Sequence, residues 1–168
     1  MTNIFGLNLT ELTSLITDLN LPKFRAKQII EWLYQKHATS FDEMTNLSKD
    51  LREKLAQEFT IERAKSCDRL DSSDGKTTKF LLEFGDGIGV ETVLMRQPYG
   101  NSICVSSQAG CNMGCSFCAS TLHGMARNLS TGEILAQAMF IQELLNQTGE
   151  QINNIVIMGS GEPMDNYD

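Results

Sequence analysis

The sequence predicts an α/β fold: a small N-terminal helical domain, a β-hairpin, and then the opening β-α-β of a parallel sheet. Three observations carry this prediction. Apolar residues recur at helical spacing through residues 9 to 65, and short apolar runs broken by Gly, Asp and Ser fill residues 71 to 107. From residue 102 to 158 the order is strand, loop, helix, strand.

In the helical part, Leu12, Leu15, Ile16 and Leu19 share one helix face. A second helix begins near Pro22, a residue tolerated at the first helical position, and carries Phe24, Ile29, Ile30 and Leu33. Ser48 is the expected N-cap of a third helix that turns Leu51, Leu55 and Phe59 inward.

Beyond the helices, Lys79 to Phe84 and Val90 to Met95 read as two strands joined by the Gly85-Asp86-Gly87 turn. Ser102 to Ser106 reads as a strand leading into a cysteine-rich loop. Thr131 to about Asn146 reads as an amphipathic helix with Ile134, Leu135, Ala138, Ile141 and Leu145 on one face. Ile155 to Met158 is a short buried-type strand that runs into Gly159-Ser160-Gly161-Glu162-Pro163. In parallel sheets ligands gather at the carboxyl ends of strands, and both the cysteine loop and the Gly-Glu-Pro turn lie at such ends. The expected division is a helical domain over 1–65, a hairpin or linker over 66–100, and the start of a larger core over 101–168.

At 41% hydrophobic and 21% charged residues, the composition is that of an ordinary globular chain. No apolar run reaches the roughly 20 residues of a membrane helix, and the first residues lack the basic region of a signal peptide. The expectation is a cytoplasmic protein with no membrane partner. A net charge of -7 argues against strong nucleic-acid binding by composition alone, so RNA contact would need a local basic patch such as Lys23, Arg25 and Lys27.

The chain has five cysteines, and "GCNMGCSFCAS" places Cys111, Cys115 and Cys118 in one stretch, separated by three and then two residues. Three thiolates can hold three irons of a cubane cluster and leave the fourth iron open, whereas a structural zinc site wants four ligands. A zinc site would recruit Cys104, at a spacing unlike the paired short spacings of zinc motifs. Gly110 and Gly114 let the backbone wrap closely, and Phe117 either shields the site or packs in the core.

C-x-x-x-C-x-x-C with an aromatic before the third cysteine resembles the radical S-adenosylmethionine (SAM) superfamily. Gly161-Glu162-Pro163 is similar to that superfamily's Gly-Gly-Glu-like turn. "FDEMTNLSKDLREKL", "VETVLM", "CVSSQAGCNMGCSFCAS", "RNLSTGEI" and "GSGEP" extend the resemblance to the RlmN family of dual-specificity adenine-C2 methyltransferases, over nearly the whole chain. The resemblance implies an incomplete radical SAM (partial TIM-like) barrel after the helical domain. It also implies a 4Fe–4S cluster on Cys111, Cys115 and Cys118, with SAM on the open iron.

The implied activity is methylation of C2 of an adenosine in large-subunit (23S) ribosomal RNA and in tRNA. In this family one SAM methylates a cysteine, a second is cleaved to a radical that activates that methyl group, and a covalent RNA–protein adduct follows. Cys104 matches the cysteine that resolves the adduct by disulfide formation, and Glu91 matches the carboxylate that helps remove the C2 proton. Glu162, Gly159, Gly161 and Phe117 match SAM-contacting positions. The methyl-carrying cysteine has no match in these 168 residues, so methyl transfer by this stretch alone is not expected.

Ribosomal RNA and tRNA are the implied partners, with a small electron donor such as flavodoxin or ferredoxin. Arg127 and Asn128 of "RNLS" are placed as RNA contacts. Ser160 stands where the family usually has Met, and Ser120 and Thr121 depart from the commoner "CATG". His37, His123 and Cys67 carry no assigned role, and the eight methionines read as packing. Two other readings remain: a resistance-type methyltransferase acting on adenosine C8, and a non-catalytic zinc or iron-sulfur module that binds RNA.

Overall fold

The computed structural model describes residues 1–167. The chain divides into two compact units, Met1–Arg63 and the residues from Ala64 onward.

The first unit holds three helices, α1 (Leu9–Asp18), α2 (Phe24–Tyr34) and α3 (Lys49–Glu58), with a short parallel bridge between β1 (Thr2–Asn3) and β2 (Phe59–Thr60). Asn8 caps α1: its side chain accepts from the Thr10 and Glu11 amides at 2.8 and 3.0 Å, and Glu11 accepts from the Asn8 amide at 2.8 Å. Ser48 stands at the N-cap of α3 as expected, yet its hydroxyl makes no cap hydrogen bond. Leu12, Ile16, Ile29, Leu33, Met44 and Leu55 are fully buried in one cluster. At about 2 kcal/mol for each fully buried large side chain, the unit has a hydrophobic core of its own.

The second unit is built on a five-stranded sheet. Its strands are β3 (Lys65–Asp71), β4 (Thr77–Glu83), β5 (Gly89–Gln97), β6 (Gly100–Cys104) and β9 (Ile152–Val156), hydrogen-bonded in that order. The predicted hairpin is β4 and β5, and it extends the same sheet as β6. Only β6 and β9 run parallel, and the helix α4 (Thr131–Asn146) connects them. This is the predicted β-α-β crossover, but the second strand begins three residues earlier and ends two residues sooner than the apolar run suggests. Ile155, Ile157 and Met158, expected to be buried, are exposed because β9 is the edge strand of the sheet. β7 (Gln108–Gly110) and β8 (Met125–Asn128) form a separate two-stranded ribbon between β6 and α4.

Side chains alternate across a strand. Phe80, Leu82, Leu94 and Ile103 therefore point to one face, where they pack with Ile141 and Leu145 of α4. Leu81, Glu91, Val93 and Cys104 point to the other. β3 has no counterpart in the predicted elements, because every residue along it is exposed and no alternation marks it. Its Lys65, Asp68, Arg69 and Asp71 suit an edge strand, where charge discourages pairing with another chain.

Candidate functional site

The cysteine loop is the tip of the β7–β8 ribbon. Gly110 ends β7 with φ +81°, and a Cβ at that position would overlap the Gly124 carbonyl oxygen, so the ribbon closes tightly just before Cys111. Within the loop the Cys118 amide donates to the Cys115 carbonyl at 3.0 Å, which makes a turn of Cys115–Cys118. Asn112 accepts from the Met125 amide at 3.0 Å and ties the outgoing strand to the loop.

All five cysteines are free thiols. Cys111 is buried, Cys118 half-buried and Cys115 exposed, while Phe117 is 91% exposed, so its ring packs in no core. Among the described residues no three His, Cys, Asp or Glu side chains converge closely enough to form a metal-binding group. The trio shares one hairpin tip without forming a tight set. The donor chemistry still fits an iron-sulfur cluster: three soft thiols within one stretch, with no histidine or fourth cysteine between Cys111 and Cys118.

A cavity of about 490 Å³ opens on the face of the sheet away from α4. It brings together Glu91 and Val93 of β5, Cys104 at the end of β6, Cys118 of the loop, and Met158 and Gly159. The strand register explains the meeting. Val93 pairs with Cys104 across β5 and β6, so Glu91, two residues along, lies on the same face. Cys111, Cys115, Phe117, Gly161 and Glu162 do not line this cavity.

Burial pushes the Cys104 thiol above its ordinary pKa, and the Met158 backbone amide beside it works in the opposite direction. The thiol is thus held mostly protonated near neutral pH. Glu91 is paired with Lys79 at 2.7 Å on the exposed side of the sheet. Its carbonyl accepts from the Ser106 hydroxyl at 2.8 Å.

The Gly159–Glu162 turn lies directly on residues 105–110. The Gly159 amide donates to the Val105 carbonyl at 3.0 Å, and the Glu162 amide donates to Gln108 Oε1 at 2.9 Å. A Cβ on Gly161 would sit 2.6 Å from Cβ of Gln108, and φ at this residue is +106°, so backbone meets backbone here. The Glu162 carboxylate accepts from the Met164 amide at 2.9 Å, capping the short turn Pro163–Asn166.

Three polar residues that the sequence reading passes over organise this region. Gln137 is completely buried on α4; its carbonyl oxygen accepts from the Thr92 hydroxyl and the Ser106 amide, and its amide donates to the Ser106 carbonyl, all within 2.9 Å. Gln108 also donates to Asn128 at 2.8 Å and Asp165 at 3.1 Å. Asn166 donates to the carbonyls of Ser107 and Leu129. The one available signal was an uncharged polar residue, Gln137, one position from the apolar stripe of α4.

Arg127 and Asn128 are engaged inside the unit. The Arg127 guanidinium is bound by Glu133 and Asp86, and Asn128 accepts from Gln108. Both side chains thus help to hold β8 in place, Asn128 from an exposed position.

Comparison with known proteins bears on the whole chain. Residues 2–61 match the family described as Ribosomal RNA large subunit methyltransferase N-terminal domain. "Probable dual-specificity RNA methyltransferase RlmN" from Staphylococcus aureus strains JH9 and Newman is 52% identical over 166 residues, which is 99% of this chain and 45% of each relative. The chain thus spans somewhat less than half the length of these curated relatives. A crystal structure of a radical SAM methyltransferase from Sphaerobacter thermophilus superposes with a TM-score of 0.90 at 39% identity, covering 99% of this chain and 49% of that one. The resemblance to the RlmN family that the motifs carry is thereby shown: the chain bears that family's N-terminal domain and continues, to nearly its last residue, in the fold of a radical SAM methyltransferase.

Proposed function

We propose that this chain forms the RNA-contacting and cluster-bearing part of a cytoplasmic radical SAM enzyme that methylates C2 of adenosine in 23S ribosomal RNA and in tRNA. The observation that carries the reading is the cavity in which Cys104, Glu91, Cys118 and Gly159 meet on the free face of the sheet. Four residues matched separately to one chemistry converge there from four segments.

In this reading Cys111, Cys115 and Cys118 hold a 4Fe–4S cluster, and Phe117, Gly159, Gly161 and Glu162 hold SAM beside it. When bound, the pair supplies a one-electron cleavage that makes a carbon radical, which an aromatic C–H carbon requires because it is not nucleophilic. Glu162 offers a carboxylate to the SAM ammonium, and Gly161 lets the turn approach without a side chain. Cys104 resolves the covalent RNA adduct by disulfide formation: its thiolate attacks the sulfur of the methyl-carrying cysteine, an S–S bond forms as the S–CH2 bond breaks, and the electron pair passes to the adenine-bound carbon, which takes up a proton. Glu91 accepts the C2 proton, and its position on the solvent side of the cavity gives that proton a way out.

The helical domain over residues 1–65 contacts RNA through Lys23, Arg25 and Lys27. Phe24 is exposed among them with the Arg25 guanidinium 4.8 Å above its ring, a surface suited to unstacked bases and phosphate. Reducing equivalents come from a small donor such as flavodoxin or ferredoxin.

Anaerobic reconstitution with iron and sulfide tests the reading. The expected product is a brown protein with about four irons per chain that cleaves SAM on reduction when the chain is extended to the relatives' length. Colourless protein holding one tight zinc through Cys104 and the trio would replace it with the zinc-module reading. Methylation found on C8 in place of C2 would replace it with the resistance-type reading.

A further inference from the structure

The two ends of the candidate site are joined by one side chain. Gln108 and Ala109 of β7 pair with Asn128 and Arg127 of β8, and the register breaks between Ala109 and Gly110. At that break the Gly110 amide donates to the Ser160 hydroxyl at 3.1 Å. The next residue is Cys111, the only buried member of the trio, at 6% exposure.

Ser160 addresses the same segment through its other polar atoms. Its amide donates to the Ser106 hydroxyl at 3.0 Å. Its carbonyl accepts from the amides of Ser107 and Gln108 at 3.0 and 3.1 Å. An alanine at 160 keeps every one of these backbone bonds and loses only the bond to Gly110. The contribution of the hydroxyl is thus separable from the fold of the turn.

We infer that Ser160 is a positioning residue: its hydroxyl, acting through the Gly110 amide, fixes the start of the cysteine loop against the Gly159–Glu162 turn and so sets where Cys111 stands. A half-buried backbone amide at the start of a loop is held by its partner, and losing that partner frees the loop to fray from that end. The consequence for cofactor binding rests on the reading that Cys111 is a cluster ligand.

The test compares the whole chain with its Ser160→Ala and Ser160→Thr variants by amide hydrogen exchange and by iodoacetamide labelling. In Ser160→Ala, exchange at Gly110 and labelling of Cys111 should each rise about fivefold or more, while the amides of β6 and the labelling of exposed Cys67 stay unchanged. Ser160→Thr, which keeps a hydroxyl, should return both to near the wild-type rates. Wild-type rates in Ser160→Ala, or a Thr variant as fast as the Ala variant, would overturn the inference. Iron uptake is measured in parallel. If the wild-type chain extended to the relatives' length takes up no iron, the cluster reading fails, and the exchange result alone decides the role of Ser160.

Discussion

Arg127 and Glu133 face one another with two hydrogen bonds, 2.6 and 2.8 Å long, between the guanidinium and both carboxylate oxygens. The same guanidinium reaches Asp86 in the β4–β5 turn at 2.8 Å. One side chain therefore links β8, the first turn of α4 and the hairpin. Such a fork, partly shielded from water, is stronger than an exposed ion pair. Replacing Arg127 by Ala should cost about 1–2 kcal/mol of stability, read as a lower urea midpoint, because two carboxylates lose their partner. An unchanged midpoint would show that water replaces the guanidinium without loss.

The same cluster sets a pH dependence. Asp86 is held below its ordinary pKa by the Arg127 hydrogen bond and then by the Ile88 amide. For Glu133 burial pushes upward, but the bonds from Arg127 and the Ser130 amide together leave it below its ordinary value. A carboxyl whose folded pKa is depressed adds stability that is fully present above its unfolded pKa, near 4, and is lost as pH falls through the folded value. Melting temperature should therefore be flat near neutrality and fall below about pH 4.5, and Glu133→Gln should fall less steeply. Parallel curves for the two proteins would remove Glu133 from the effect.

Gly161 admits no side chain. At φ +106° a Cβ would lie 2.6 Å from Gln108 Cβ and 2.7 Å from its backbone nitrogen. The Gly161→Ala variant must strain its backbone or lift the turn off β7, at a cost of about 1–3 kcal/mol. The urea midpoint should fall, and the Glu162 amide, now bound to Gln108, should exchange faster. Normal stability with normal exchange would show that the turn shifts freely.

Cys104 should be slow toward alkylating agents. It is half-buried and its thiol pKa is raised by burial, whereas Cys67 is exposed on β3. Peptide mapping after brief iodoacetamide treatment near pH 7.5 should find Cys67 labelled well before Cys104. The Cys104 rate should keep climbing at pH values above the usual thiol range of about 8.5, since only the thiolate reacts. Equal rates at neutral pH would show that Met158 and its surroundings activate this thiol.

Local patterns in the sequence were enough for the helices, the hairpin and the crossover. Helical spacing marked α1, α2 and α3, although Phe59, expected on the third helix, begins β2, and α4 runs over the Thr131 to Asn146 stretch that its apolar face suggests. β3 and the β7–β8 ribbon escaped, because an all-exposed edge strand and a three-residue strand leave no periodic trace. The cysteine trio and the Gly-Glu-Pro turn were likewise legible as short contiguous motifs.

What the sequence by itself determined is thus whatever depends on neighbours along the chain: element type, the spacing of the thiols and the glycines of the turn. Only the tertiary structure decided which distant residues meet. The β5–β6 register put Glu91 and Cys104 on one face. The crossover through α4 laid residues 159–162 on residues 105–110. Burial made Gln137 the hydrogen-bond partner of a Ser106 backbone that has no water to turn to, and the same packing set Gln108 and Ser160 against the half-buried amides of Glu162 and Gly110. Those side-chain pairings join residues far apart in the chain, 31 positions for Gln137 with Ser106, 50 for Ser160 with Gly110 and 54 for Gln108 with Glu162, and no local period records them.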